Sequence, residues 1–257
     1  PSFSDQLIGH TKALASMVEQ AKANRLPSAF LMVGDEGVGK ATLAHEFALW
    51  LLKNQSGDCP IAADDPLRNR VNSGGHGDYR YVTKTLNKDG KMMRDISIDT
   101  IRGVIHFMHQ TALEGGWRVV IIDAIDDMNR NAANAVLKVL EEPPAKSILL
   151  LVCHSLGKVL PTIRSRAQVL KVGNLSQDEM QQFLTQNAAD YSAEAKDQVR
   201  FLCDGRPGLA LNLLQADGVK LYNSWLHVMS GALRDKPSLD GFMTLLNPPR
   251  KTDTDAV

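Results

Sequence analysis

Residues 34–42 read Gly-Asp-Glu-Gly-Val-Gly-Lys-Ala-Thr, which contains the G-x-x-x-x-G-K pattern of a phosphate-binding loop. In such a loop the glycines let backbone N–H groups point towards a phosphate, and the helix that follows adds partial positive charge. Gly34, Gly37 and Gly39 would form the turn, and Lys40 would reach the outer phosphates of a nucleotide. The spacing therefore predicts a nucleotide site.

The position after Lys40 departs from this pattern. A serine or threonine there normally holds Mg²⁺ through its hydroxyl, but this chain has Ala41. Thr42 comes next, and it cannot simply substitute because a helix turns by about 100° per residue. We include Thr42 in the candidate site. The site is predicted to be degenerate, with Mg²⁺ bound only together with nucleotide.

A second candidate residue is the aspartate that follows residues 117–122, Trp-Arg-Val-Val-Ile-Ile. A run of this kind is typical of a strand buried on both faces of a parallel sheet. Asp123 stands at its carboxyl end, where ligands bind in open α/β sheets. Together with the glycine loop, this position indicates the acidic residue that holds Mg²⁺ in P-loop nucleotide hydrolases.

Predicted strands and helices alternate around these residues. A strand at 29–33 precedes the glycine loop, and an apolar helical stripe follows it. The other strands are expected at 81–82, 117–122, 147–152 and 168–172, and the other helices have Thr11, Asp99 and Asn129 as candidate caps. This alternation predicts an α/β fold, a three-layer sandwich with a mainly parallel sheet.

Residues 53–80 are polar and rich in turn formers, and such a length without clear periodicity is either functional or an insertion. We expect a surface loop there. His76 and Cys59 offer two possible metal ligands, which do not make a site. His106 and His109 lie three apart on a predicted helix and are expected to face solvent.

Only helices are predicted after residue 175. Ser176 and Glu179 form a capping-box pattern, and Pro207 is placed to begin a later helix. We therefore expect three parts: an α/β domain over residues 1–174, a small helical domain over 175–216, and the start of an incomplete helical domain over 217–257.

The bulk properties exclude several classes of protein. The 257 residues carry a formal net charge of zero, so the whole chain lacks the basic signature of a nucleic-acid binder. No apolar run approaches the roughly 18 residues of a membrane span, and no signal-peptide pattern opens the sequence. The start at proline and the polar end suggest a trimmed chain. A cytoplasmic location is expected.

Two further motifs give the sequence a family resemblance. Residues 140–144 read Leu-Glu-Glu-Pro-Pro, and residues 162–166 read Thr-Ile-Arg-Ser-Arg. With the glycine loop and Asp123, their order and spacing resemble clamp-loader AAA+ subunits over roughly residues 3–215. The resemblance implies the AAA+ P-loop fold, a helical lid after it, and a C-terminal collar that begins near residue 217.

The departures from the family pattern make the chain look most like the delta-prime family of bacterial DNA polymerase III subunits. The family's motor subunits have Asp-Glu where this chain has Asp123-Ala124, and a lid arginine where it has Gly208. The family's sensor would fall near His154 or Ser155. With Ala41, these losses imply no intrinsic ATPase and ATP bound weakly or not at all. Many relatives carry a four-cysteine zinc module, of which only Cys59 remains, so no zinc is expected.

One retained feature implies a role in catalysis. By resemblance, Arg166 matches the arginine finger that clamp-loader subunits present in trans to a neighbour's nucleotide; the alternative is a surface ion pair. The implied partners are a motor ATPase and a delta-like subunit, with the sliding clamp and primed DNA reached through the polymerase holoenzyme, and no membrane.

Two other functions stay open. One is an active AAA+ ATPase, either a clamp-loader motor or a helicase loader. The other is a P-loop kinase, which would leave the Glu-Glu-Pro-Pro and Ser-Arg elements unexplained.

Overall fold

The computed structural model describes residues 7–86 and 90–232, and the side chains as far as residue 227. The strands are β1 Ala29–Val33, β2 Tyr79–Val82, β3 Arg118–Asp123, β4 Ser147–Cys153 and β5 Gln168–Lys171. The helices are α1 Thr11–Lys22, α2 Lys40–Leu52, α3 Pro66–Asn72, α4 Ile98–His109, α5 Arg130–Glu141, α6 Pro161–Arg164, α7 Gln177–Asn187, α8 Ala193–Leu202, α9 Pro207–Gln215 and α10 Gly218–Ala232. Short 3-10 helices occupy Ile125–Asp127 and Leu156–Lys158.

The five strands form one sheet in the order β2-β3-β4-β1-β5, and every pairing is parallel. β1 lies between β4 and β5, so the loop after it leaves the sheet between two neighbouring strand ends. Asp123 pairs with Val152 in the register of β3 and β4. The parallel sheet therefore brings the ends of β1, β3 and β4 to one edge, as the sequence predicts.

Apolar side chains on the two faces of the sheet enter two separate cores. In β1, Phe30 and Met32 pack with α1, α2 and α3, whereas Ala29 and Leu31 pack with α4, α5 and α6. This alternation follows from the two-residue period of a strand. The three-layer sandwich predicted from the sequence is confirmed.

A third core joins α7, α8 and α9, the helices of the lid. Ile8, which precedes α1, is buried in this core, so the N-terminal segment reaches from the sheet domain to the lid. Ser176 and Glu179 form the capping box expected for α7, and Pro207 opens α9 as expected. Helix α10 contacts α8 and α9. Most of the expected third part, residues 233–257, lies outside the described residues.

Residues 53–80 differ from the surface loop expected there. They contain α3, capped by the Asp65 side chain, and the buried ion pair between Arg68 and Glu46. His76 is only 5% exposed. The sequence misleads here because the polar residues that suggest a loop are used internally, as helix caps and buried pairs.

Two helix starts also differ from expectation. Helix α1 begins at Thr11 itself, and its cap position is His10, in the left-handed backbone region at φ 54°. Helix α4 is capped by Ser97, whose hydroxyl accepts from the backbone N–H of Thr100, rather than by Asp99. Asn129 caps α5 as expected.

Candidate functional site

The glycine loop joins β1 to α2, which begins at Lys40. Gly39 has φ 103°, a conformation that a side chain makes costly, so glycine is required at this turn into the helix. Gly34 is needed for space: a Cβ there would lie 2.1 Å from the carbonyl oxygen of Val172, after β5. The predicted phosphate-binding loop is therefore built from backbone that only glycine allows at these positions.

Lys40 is almost completely buried, at 3% exposure, and its ammonium contacts the loop itself. The Nζ atom donates to the carbonyl oxygens of Gly34 and Asp35, both over 2.6 Å. Burial lowers the pKa of Lys40, and the charge of Asp123 opposes that shift. An ammonium has three N–H donors, so one remains beyond these two bonds. A phosphate would have to replace loop carbonyls to bind Lys40 fully.

Asp123 lies at the same cleft, at the end of β3. Its carboxylate accepts a hydrogen bond from the hydroxyl of Tyr81 on β2. Burial and the nearby charge of Asp123 raise the pKa of Tyr81, so this phenol stays a neutral donor. The next residue, Ala124, is buried and has no group that could orient a water molecule.

Two other acids follow Asp123 along the chain, and neither takes the missing glutamate's place. The Asp126 carboxylate accepts from the backbone N–H groups of His154 and Ser155, over 2.9 and 3.0 Å. Asp127 pairs with Lys84 over 2.9 Å. Asp126 therefore ties the end of β3 to the end of β4.

The structure brings the predicted nucleotide-site residues around one cleft of about 460 Å³. The lining residues of the sheet domain are Glu36, Gly37, Gly39, Lys40, Ala41, Thr42, Asp123, Val152 and His154. Those of the lid are Phe183, Pro207, Gly208, Leu211, Asn212 and Gln215. The predicted nucleotide-site residues therefore lie close together. Gly34 is the exception: it does not line the cleft, and its carbonyl oxygen accepts a hydrogen bond from Lys40.

The lid closes directly on the glycine loop. The backbone N–H of Gly208 donates to the carbonyl oxygen of Gly37 over 2.8 Å. A Cβ added to Gly208 would lie 3.0 Å from the Cα of Gly37, so any side chain at this position would press against the glycine loop. Arg206 does not replace the family's lid arginine, because its Nε donates to the carbonyl of Cys203 within the lid.

These contacts show how well a magnesium nucleotide fits the site. The loop and the cleft suit a phosphate chain, but Ala41 supplies no oxygen ligand for Mg²⁺ and Asp123 is already hydrogen-bonded to Tyr81. The residues present fit phosphate in part and do not complete a magnesium site.

His10 forms a contact with the glycine loop that the sequence does not predict. Its Nε2 lies 2.7 Å from the carbonyl oxygen of Val38, to which it donates, and its backbone caps α1. The adjacent Gly9 leaves room for Leu175 and Glu179 of the lid segment. The only signal in the sequence was the short turn of residues 7–10, whose role cannot be read from spacing.

Arg166 lies after α6 and is not among the residues that line the cleft of its own chain. Its side chain is 37% exposed, and Nη2 pairs with Oε1 of Glu141 over 2.9 Å. Nη1 donates to the carbonyl of Thr162 over 3.1 Å and faces the hydroxyl of Ser165 at 3.4 Å. The surface ion pair considered in the sequence therefore exists, and it joins the two family motifs.

The model of the family described as DNA polymerase III, delta subunit, matches residues 9–176, more than half of the chain. The chain belongs to this family. The finding confirms the resemblance to delta-prime proteins of DNA polymerase III that rests on the glycine loop, Asp123 and the two downstream motifs.

Individual members of the family and their relatives agree with this assignment. DNA polymerase III subunit delta' of Pseudomonas aeruginosa is 32% identical over 192 residues, 75% of this chain and 57% of that protein. DNA polymerase III subunit gamma of Buchnera aphidicola subsp. Acyrthosiphon pisum is 24% identical over 255 residues, 93% of this chain and 66% of that protein. This chain thus spans less than two thirds of the length of either relative.

A solved structure supports the fold class. The Holliday junction branch migration motor RuvB of Thermotoga maritima matches with a TM-score of 0.52 at 16% identity, over 96% of this chain and 72% of that one. This likeness concerns the fold alone and agrees with the expected fold class.

Within residues 7–86 and 90–232, no helix is long and apolar enough to cross a membrane. In the same part of the chain, no three His, Cys, Asp or Glu side chains are grouped so that they could hold a metal ion.

Proposed function

We propose that this chain is a non-hydrolysing, delta-prime-like subunit of the DNA polymerase III clamp loader. It assembles beside an ATP-loaded motor subunit and a delta-like subunit, and the complex loads the ring-shaped sliding clamp onto primed DNA. Membership of the delta-subunit family supports this proposal. The observation that carries the non-hydrolysing part is the set of residues at the cleft: Ala41 and Gly208 line it, and the buried Ala124 follows Asp123, each in place of a catalytic side chain.

Each replacement removes a different function from the cleft. Ala41 removes an oxygen ligand of Mg²⁺, Ala124 removes the group that orients the attacking water, and Gly208 removes a positive charge near the outer phosphate. Phosphoryl transfer depends on such positioning and charge stabilisation, so three losses together are incompatible with efficient hydrolysis. The loop of residues 34–42 then serves mainly to hold the lid against the sheet domain.

Arg166 supplies the active contribution of this subunit. A guanidinium placed against the transferring phosphoryl group stabilises the negative charge that spreads over its oxygens in the transition state. The side chain is partly exposed and lies outside its own cleft, as a group that acts on a neighbouring subunit requires. Such a residue can raise the rate of its partner's site by about 10³ to 10⁵.

The test is ATP turnover by the reconstituted loader in the presence of clamp and primed DNA. Arg166→Ala should abolish the part of the turnover that comes from the neighbouring site, with assembly unchanged by size-exclusion chromatography. Arg164→Ala is the matched control, since Arg164 is also exposed and ends the same short helix. Equal turnover in wild type and Arg166→Ala would refute the role in trans.

The second candidate, an active AAA+ ATPase, is supported by the retained Lys40 and by the similarity to the Buchnera gamma subunit. Hydrolysis assays on the isolated chain separate the two. If the chain is the non-hydrolysing subunit, the isolated wild type should show no ATP turnover that is lost in Lys40→Ala. Turnover that depends on Lys40 would establish the ATPase instead.

A further inference from the structure

Arg166 lies between the carboxyl ends of two helices. Glu141 is the last residue of α5, and Thr162, whose carbonyl accepts from Nη1 of Arg166, belongs to the short helix α6. The last carbonyl groups of a helix have no partner within the helix and carry partial negative charge. The chain therefore builds an electronegative corner, and the guanidinium of Arg166 occupies it.

The carboxylate of Glu141 is electrostatically unfavourable at the end of α5. A carboxylate at a helix carboxyl end is repelled by the helix dipole, and Glu142 follows as a second negative charge. Glu141 forms its ion pair with Arg166 over 2.9 Å. In the described part of the chain, Glu142 forms no ion pair, so the two adjacent glutamates differ in this one contact.

The contacts of Arg166 also leave part of its guanidinium available. The group has five N–H donors. Nη1 donates to the Thr162 carbonyl and the Ser165 hydroxyl, and Nη2 lies 2.9 Å from Oε1 of Glu141 in an ion pair. Among residues 7–86 and 90–232, Nε has no acceptor, and Nη2 has no partner besides the Glu141 carboxylate. One edge of the guanidinium is held, and two donors remain for an anion outside the chain.

We propose that Glu141 is the positioning residue of Arg166, holding the guanidinium so that its two remaining donors face the phosphate of the neighbouring subunit. This inference rests on the proposed function of Arg166 in trans. An arginine side chain has many rotamers, and fixing it before the partner arrives removes an ordering cost from the encounter with the transition state. Glu141 itself does not contact the nucleotide.

The experiment compares single and double variants in the complete reconstituted loader. The quantity measured is the Arg166-dependent turnover, which is the wild-type rate minus the rate of Arg166→Ala. Glu141→Ala should lower it about two- to fivefold, the range that an exposed ion pair provides. The KM for ATP should not change, because the finger acts in the transition state. Glu142→Ala, the matched control, should keep the full rate.

Two further variants separate positioning from a general structural effect. Glu141→Gln keeps an acceptor oxygen and should retain more of the rate than Glu141→Ala, with the same KM. The double variant Glu141→Ala/Arg166→Ala should be as slow as Arg166→Ala alone. If Glu141→Ala does not assemble, the test rests on Glu141→Gln alone. Its Arg166-dependent turnover should be lower than that of the wild type, by less than twofold.

The outcomes distinguish this inference from the proposed function. If Arg166→Ala leaves turnover unchanged, the role in trans fails. If Arg166→Ala is slow while both Glu141 variants keep the wild-type rate, only the positioning role is overturned. Faster turnover in Glu141→Ala would also overturn it, because the ion pair would then restrain Arg166. A double variant slower than Arg166→Ala would show that Glu141 acts elsewhere.

Discussion

The backbone N–H of Gly208, in the first turn of α9, donates to the carbonyl oxygen of Gly37 in the glycine loop over 2.8 Å. The lid and the sheet domain thus meet through two residues without side chains. The family resemblance implies an arginine at position 208 in motor subunits, and its loss does more than remove a charge. It also allows the lid to close on the loop through backbone contact.

We expect substitutions at this contact to destabilise the chain. Gly37→Ala should cost about 2 kcal/mol, because residue 37 has φ 82° and its Cβ would lie 2.9 Å from the N atom of Leu209. Gly208→Ala should cost less, about 1 kcal/mol, since its new Cβ lies 3.0 Å from the Cα of Gly37. Urea unfolding measures both.

Gly157→Ala is the control for this pair, because a Cβ there meets nothing within 4 Å. Its free energy of unfolding should stay close to that of the wild type. Three variants of equal stability would show that the lid does not depend on the contact with the loop.

The sequence predicts the part of the fold that depends on local pattern. The apolar runs of β3 and β4, the capping box at Ser176 and the proline that begins α9 all occur where expected. These features are local because hydrophobic period, cap and proline act within a few residues. The glycine loop is predictable for the same reason.

Contacts between distant segments could not be predicted in this way. The bond from His10 to the Val38 carbonyl joins residues 28 apart, and that from Tyr81 to Asp123 joins residues 42 apart. The ion pair of Arg166 with Glu141 also depends on how α5 and α6 pack. Spacing indicated which residues matter, but packing determines which partner each one contacts.

Among the polar contacts of residues 53–80 and of α2, the ion pair between Glu46 and Arg68 should contribute most to the free energy of unfolding. It is buried, at 0% and 2% side-chain exposure, with two bonds of 2.5 and 2.8 Å. Removing one partner leaves a buried charge without its main counter-charge, so Arg68→Met should cost about 3–5 kcal/mol of unfolding free energy. Chemical denaturation tests this, and the double variant Glu46→Leu/Arg68→Met should cost less.

The exposed pair of Arg70 and Glu114 is the matched comparison. Its side chains are 46% and 45% exposed, and Arg70→Ala should cost less than about 1 kcal/mol. Similar losses for Arg68→Met and Arg70→Ala would contradict the dominant role assigned to burial.

The side chain of His10 should stabilise the turn before α1, whereas the left-handed backbone conformation of the same residue should destabilise it. The Nε2 bond to the Val38 carbonyl is 2.7 Å long, and its loss should cost about 1 kcal/mol. His10→Ala loses this bond and keeps the strained φ of 54°, whereas His10→Gly loses the bond and relieves the backbone. His10→Ala should therefore be the less stable variant by about 1 kcal/mol in urea unfolding. The reverse order would show that the left-handed turn is not retained.

Stability should fall as the pH is lowered from about 6.5 to about 4 because of His45. Its imidazole is buried, and desolvation, with a smaller effect of Arg68, lowers its pKa from 6.5 to about 4. The unfolded chain binds the proton first as the pH falls, so the stabilisation is complete above pH 6.5 and declines below it. A shift of this size corresponds to roughly 3 kcal/mol across the range.

His45→Gln isolates this contribution. The variant loses the imidazole that bonds to the Tyr79 hydroxyl, so its stability at pH 7.5 should be lower than that of the wild type. The decline between pH 7.5 and pH 4.5 should nevertheless be smaller in the variant. Burial also lowers the pKa of His76, so a residual slope should remain in His45→Gln and diminish in His45→Gln/His76→Gln. Parallel curves for wild type and His45→Gln would show that His45 takes up its proton equally easily in the folded and unfolded states.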